Sequence, residues 1–173
     1  MGIVIDVSHS SDNTIKDIFT VTKRPLCASH SNFRTICNHK RNLTDDFALE
    51  ISGRGGFIGL NLYYQFVKEN IDINGESYGI GELLTHINYA KSLGIADKLG
   101  FGFDIDGVSG LYPKDVSYAE SMHDLFVEKH LSLHYHGDFV KNVSGMNFIA
   151  FLQRYALQKS VDKYVCESII CIV

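Results

Sequence analysis

"IVIDVSHSS", residues 3–11, runs from branched aliphatic residues straight into Ser8-His9, and "PLCASHSNF", residues 25–33, does the same into Ser29-His30. Short apolar runs bounded by turn-forming and helix-capping residues read as buried strands that open into βα connections. Between the two, Ser10 or Ser11 caps a helix on which Ile15, Ile18 and Phe19 recur at helical spacing, and Pro25 stops that pattern.

The alternation continues down the chain. A loop, "SNFRTICNHKR" (31–41), leads to a helix beginning near Asn42, with Asp45 and Asp46 in its first turn and "SGRGG" (52–56) at its end. A third strand, "GFIGLNLY" (56–63), precedes "GIGELLTHINYAKSLG" (79–94), where Ile80, Leu83, Leu84, Ile87 and Ala90 line one helical face and Gly94 closes it. The fourth strand is "KLGFGFDI" (98–105), followed by the turn signals "DGVSG" and "YPKD". "YAESMHDLFVEKH" (118–130) and "DFVKNVSGMNFIAFLQRYALQ" (138–158) read as helices, and "ESIICIV" (167–173) as a weak final strand. The expected fold is therefore α/β: four parallel βα units with C-terminal helices, in one domain over 1–160 with a tail over 161–173.

Bulk properties exclude several functions. A hydrophobic content of 45%, a net charge of −4 and a pI near 6.0, without a basic block, argue for a globular chain and against a nucleic-acid partner. No basic, then apolar, leader opens the chain, and no apolar run reaches the roughly 18 residues of a membrane span. A soluble, cytoplasmic protein is expected. Cys27, Cys37, Cys166 and Cys171 lack metal-motif spacing, so reduced, structural thiols are expected. "NLT" at 42 and "NVS" at 142 match a glycosylation pattern that has no force without a secretory signal.

Parallel strands end on one rim, and sites in such sheets lie there. The ends are Ser8-His9, Ser29-His30, Asn61 and Asp104-Ile105-Asp106. A single histidine at a strand end is ordinarily a satisfied core or surface residue. Two on neighbouring strands, about 4.8 Å apart, can reach one ion. Zinc needs more donors than two; Asp104 can be a third or can hold a substrate amine. Asp6 faces the way its parity with Val4 dictates. Arg34 and Arg41 lie in the loop after His30, where a guanidinium can pair with a substrate carboxylate or simply be solvated. His134-x-His136 reads better as a loop and helix start than as a metal strand, and the glycine clusters miss the phosphate-loop spacings.

"GIVIDVSHSS", "PLCASHSNFRTICNHKRNLTDD", "GGFIGLNLY", "LGFGFDIDGV" and "GMNFIAFL", in order over about residues 2–155, resemble successive motifs from the second half of the membrane (renal) dipeptidase family of zinc metallopeptidases. The resemblance implies a (β/α)8 TIM-type barrel whose two zinc ions carry a bridging hydroxide that hydrolyses dipeptides. It places His9 and His30 on the histidines of the second zinc, Arg41 on the arginine that holds the substrate carboxylate, and Asp104 near the substrate amine. Family members begin with four further βα units that supply a His-x-Asp pair, a metal-bridging glutamate and another histidine. None of these is found here, so the chain resembles half a barrel with two open sheet edges. The expected function is a metallodipeptidase or the C-terminal fragment of one, holding at most part of the two-zinc site when alone and completed by an N-terminal half. The alternatives are an inactive remnant that binds or homo-oligomerises and a one-metal hydrolase using His9, His30 and Asp104.

Overall fold

Strands that are apolar at consecutive positions, not at alternate ones, belong in a sheet covered on both faces. In the computed structural model, which describes residues 3–71, 79–105 and 127–159, these segments form a three-stranded parallel sheet in sequential order. Its strands are β1 (Cys27–Ala28), β2 (Phe57–Leu60) and β3 (Leu99–Phe101). The register pairs Cys27 with Phe57, Ile58 with Leu99 and Leu60 with Phe101.

The expected first strand, residues 2–8, is the main departure: four βα units are expected and three strands are seen. Residues 3–7 run parallel to β1, but they join it through a single bridge, Asp6 to Cys27. Cys27 N–H donates to Ile5 O at 2.9 Å and Val7 N–H to Cys27 O at 2.8 Å. Beyond that point the ladder has no donors left, because the Ser8 and Ser29 N–H groups both turn to Asp6 Oδ1, each at 3.0 Å. Val7 O accepts from Ser10 N–H instead.

The helices follow their caps. Helix α1 (Asp12–Val21) starts where Ser11 Oγ accepts from Thr14 N–H. Helix α2 (Asp45–Gly53) is capped by Thr44 and begins later than Asn42, since Asn42 is buried with its amide donating to Cys37 O and Phe66 O. A short helix, α3 (Tyr64–Val67), follows β2. A 3₁₀ turn (Ile80–Glu82) leads into α4 (Leu83–Ser92), which buries Leu83, Ile87 and Ala90 as its spacing requires. The C-terminal helix, Asn147–Lys159, falls in the stretch expected to be helical and ends one residue beyond it, after a π-turn at Asn142–Met146. Most of 118–130, the loop from Asp106 and the final "ESIICIV" lie outside the described residues.

Alternation gives the sheet two chemically different faces. Val7, Ala28, Ile58, Leu60 and Leu99 point into the main core, which also takes Ile15, Phe47, Ile51, Leu83 and Ile87 from the helices. The opposite face carries Cys27 and Phe57, covered by Phe151 of the C-terminal helix, and then Gly59, Gly100 and Gly102. Two of these glycines decide where β1 ends. A Cβ at Gly59 or at Gly102 would overlap the Ser29 carbonyl oxygen, so the chain at Ser29-His30 folds down onto a notch that only hydrogen atoms leave open. Gly102→Ala is expected to cost about 1–3 kcal/mol in urea unfolding, whereas Gly53→Ala, whose Cβ meets nothing within 4 Å, should stay within about 0.5 kcal/mol of the parent.

His86 is fully buried in α4: Phe33 N–H donates to Nδ1 at 3.3 Å, and Nε2–H bonds Val67 O at 2.9 Å. Burial lowers its pKa from 6.5 to about 4, with the Val67 bond opposing. The unfolded chain therefore takes up this proton near pH 6.5 and the folded chain does not until about pH 4. Stability from this group is complete above pH 6.5, falls by roughly 3 kcal/mol as pH drops toward 4 and then levels. Urea unfolding across pH 7 to 4 should show the slope, and His86→Gln should flatten it.

Candidate metal centre

The notch and the Asp6 bonds bring the ends of the first two segments side by side. His9 sits in the left-handed region at φ 70°, and Asp104, beyond β3, does so at φ 55°. Left-handed backbone is costly for side-chain-bearing residues and concentrates where a site dictates direction. These turns aim His9, His30 and Asp104 together: one ligand atom from each lies within 4.8 Å of the others. The two imidazole rings stand 4.8 Å apart between centroids, inclined by 60°.

His30 is the best-defined member. Its backbone N–H donates to Ser8 Oγ at 3.0 Å, and its Nδ1 lies 2.7 Å from Ser29 Oγ. The other ring nitrogen, Nε2, is buried and has no hydrogen-bond partner. Burial lowers the His30 pKa, and the Arg41 and His9 charges act the same way, against Asp104 and Asp6. A neutral ring with a buried, unpartnered nitrogen is the form that ligates a metal. His9 is exposed on the open side of the group. Asp104 accepts from Asn61 Nδ2 at 3.4 Å.

This donor set, two imidazoles and a carboxylate, suits zinc, whose tetrahedral bonds of about 2.0–2.2 Å put ligand atoms roughly 3.4 Å apart. His9 and His30 stand side by side, with Asp104 near both.

The two arginines separate. Arg34 is committed to Asp12, in a two-pronged pair at 2.7 and 2.8 Å, and also donates to Asn42 O and Lys40 O. The pair holds the Asp12 carboxyl below its usual pKa. Arg34 therefore braces the 31–42 loop, its guanidinium engaged by these partners. Arg41 is different: its Nη2 is buried without a hydrogen bond, and its guanidinium carbon lies 5.4 Å from the Phe66 ring centre. Burial lowers its pKa, while the charges of Asp104 and Asp6 oppose this.

His134 and His136 are exposed and stand outside this group. Cys27 is buried under Phe57 and Phe151. Cys37 donates to Gln65 O, and burial and Glu69 push its thiol pKa up, so neither is an activated nucleophile. Sequence reasoning noted only the direction of Asp6, which gathers three hydrogen bonds, and passed over Asn32, whose amide bonds the Asn61 N–H and C=O. The available signal was parity: Asp6 lies on the same sheet face as Cys27 and Ser29.

Comparison with known proteins gives the family. The model of the membrane dipeptidase family (peptidase family M19) matches residues 1–162. The dipeptidase aclJ of Aspergillus oryzae is 30% identical over 128 residues, covering 74% of this chain and 29% of the relative. An uncharacterized dipeptidase of Schizosaccharomyces pombe is 31% identical over 108 residues, 62% of this chain and 25% of its own. The crystal structure of a Rhodobacter sphaeroides metallo peptidase, liganded with a phosphinate mimic of the dipeptide L-Ala-D-Ala, superposes with a TM-score of 0.76 at 25% identity, covering 87% of this chain and 42% of that one. The chain thus spans about a quarter to two fifths of the length of these three relatives. Among the described residues no helix is long and apolar enough to cross a membrane. With an α/β fold similar to these enzymes and a family match across nearly its whole length, the chain belongs to the membrane dipeptidase family of zinc metallopeptidases.

Proposed function

We propose that the chain carries one half of a dipeptidase active site, with His9 and His30 as ligands of a zinc ion, Arg41 as the anchor of the substrate carboxylate and Asp104 facing the substrate amine. The observation that carries this is the buried, unpartnered Nε2 of His30 placed beside His9 and Asp104. A buried donor or acceptor without a partner costs about 1–3 kcal/mol, which a ligand would relieve. The same holds for Arg41 Nη2, whose planar fork matches a carboxylate.

Zinc, when bound, lowers the pKa of a coordinated water toward neutrality and polarises a carbonyl. The protein's own residues do the rest. Arg41, clamped over Phe66, fixes the C-terminal end of a dipeptide. Asp104, steadied by Asn61, attracts the ammonium at the other end, so the peptide bond falls between them. The remaining ligands are supplied by a complementary N-terminal half, since the aligned relatives are more than twice as long. Their dipeptidase names and the phosphinate complex of the R. sphaeroides relative support the substrate class.

Calorimetric titration should find at most about one zinc per chain, held more weakly than by a complete four-donor site. His30→Ala should weaken uptake at least about 100-fold, and a parent chain that takes up no zinc would overturn the ligand assignment. His9→Ala and His9→Gly should lose zinc equally, but the glycine variant should be the more stable by about 1 kcal/mol because φ is positive there. Co-expression with the N-terminal half of a family member should yield zinc-dependent dipeptide hydrolysis. His30→Ala should abolish it, and Arg41→Ala should raise KM about 10- to 100-fold. No hydrolysis on co-expression would count against the proposal.

A further inference from the structure

The bond pattern behind His30 leaves one arrangement of protons. Asp6 Oδ1 accepts two backbone N–H groups, Ser8 and Ser29, and Oδ2 accepts the Ser29 hydroxyl. A hydroxyl has one proton to give and can accept more than once. With that proton directed at Asp6, Ser29 Oγ meets His30 Nδ1 at 2.7 Å as an acceptor. Nδ1 must then carry the hydrogen of the neutral ring, and the lone pair falls on Nε2, the buried nitrogen without a partner.

We infer that Asp6 and Ser29 form a positioning relay that locks His30 as its Nδ1–H tautomer and turns the Nε2 lone pair toward His9 and Asp104. Neither residue touches the cation site; both act through the His30 ring. Partners of this kind behind metal-binding imidazoles set ring orientation and basicity and are commonly worth 10- to 100-fold in metal affinity. Here the partner is a hydroxyl, and its polarity is set by the carboxylate beyond it. The carboxylate also ends the ladder between residues 3–7 and β1, so one group both places the turn and selects the tautomer.

The inference rests on the proposal that His30 ligates zinc, but the tautomer belongs to the metal-free chain and can be read there. Two-bond ¹H–¹⁵N spectra of the full chain near pH 7.5, with the His30 signals identified by their loss in His30→Gln, should show protonated Nδ1 and unprotonated Nε2. Asp6→Asn should reverse the relay. Its carbonyl can keep the two backbone bonds while its amide donates to Ser29 Oγ, which frees the hydroxyl proton for Nδ1 and moves the ring proton to Nε2. Zinc affinity by calorimetry should then fall about 10- to 100-fold. Ser29→Ala, which removes the hydroxyl alone and carries the test if Asp6→Asn does not fold, should give a mixed tautomer and a smaller loss. Nε2–H in the parent chain, or an unchanged tautomer in both variants, would overturn the relay. A parent chain with the Nδ1–H ring that Asp6→Asn reverses, yet without zinc uptake, would support the relay while removing the metal proposal.

Discussion

The Asp6 carboxylate is the constraint on which the candidate centre depends. It takes the Ser8 and Ser29 N–H groups on one oxygen and the Ser29 hydroxyl on the other, so it ties two chain segments 23 residues apart at the height where both leave the sheet. Unmade, those bonds would leave two backbone donors to be satisfied elsewhere. A carboxylate costs desolvation when drawn into a sheet and is tolerated when its lone pairs are filled. Asp6 meets that condition with three donors.

Around this tie the sheet separates scaffold from site by side-chain parity. The outer face is aliphatic and packs on α1, α2 and α4. The inner face is small or polar toward its C-terminal end: Ser29 beside Gly59 and Gly102, then Asn61 and Asp104. The glycines admit a backbone carbonyl where a methyl group would exclude it. Helix Asn147–Lys159 covers the other end of the same face, where Phe57 meets Phe148 at 4.9 Å and Phe151 at 6.1 Å. Apolar packing at one end and polar convergence at the other is the division expected of a sheet whose chemistry lies beyond its carboxyl ends.

The loop from Ser31 to Leu43 is held by buried amides. Asn32 bonds the Asn61 N–H and C=O as a strand neighbour would, and Asn32 and Asn42 both donate to Phe66 O. With Arg34 pinned to Asp12, the loop is fixed from both sides, and Arg41 is presented over Phe66 with part of its fork unspent. The two arginines, alike in sequence and seven positions apart, differ because one has an acid from the first helical turn within reach.

Hydrophobic periodicity and caps were enough to locate β1, β2, β3, α1, α2 and α4, since each is set by local spacing and by residues such as Ser11, Thr44 and Gly94 within a few positions of it. The same local signals brought His9, His30 and Asp104 to one rim, because parallel strands share their C-terminal end whatever their partners. They could not show that residues 3–8 pair with β1 through a single bridge, that Arg34 is engaged by Asp12, or that Asp6 and Ser29 stand behind His30. Those facts depend on contacts across 22 and 23 residues, between groups whose direction is decided only when the strands are in register and the glycine notch brings Ser29 down onto it. Sequence by itself determined which residues end strands; tertiary structure alone decided which of their polar atoms meet, because hydrogen bonds require ångström-level placement that no periodicity encodes.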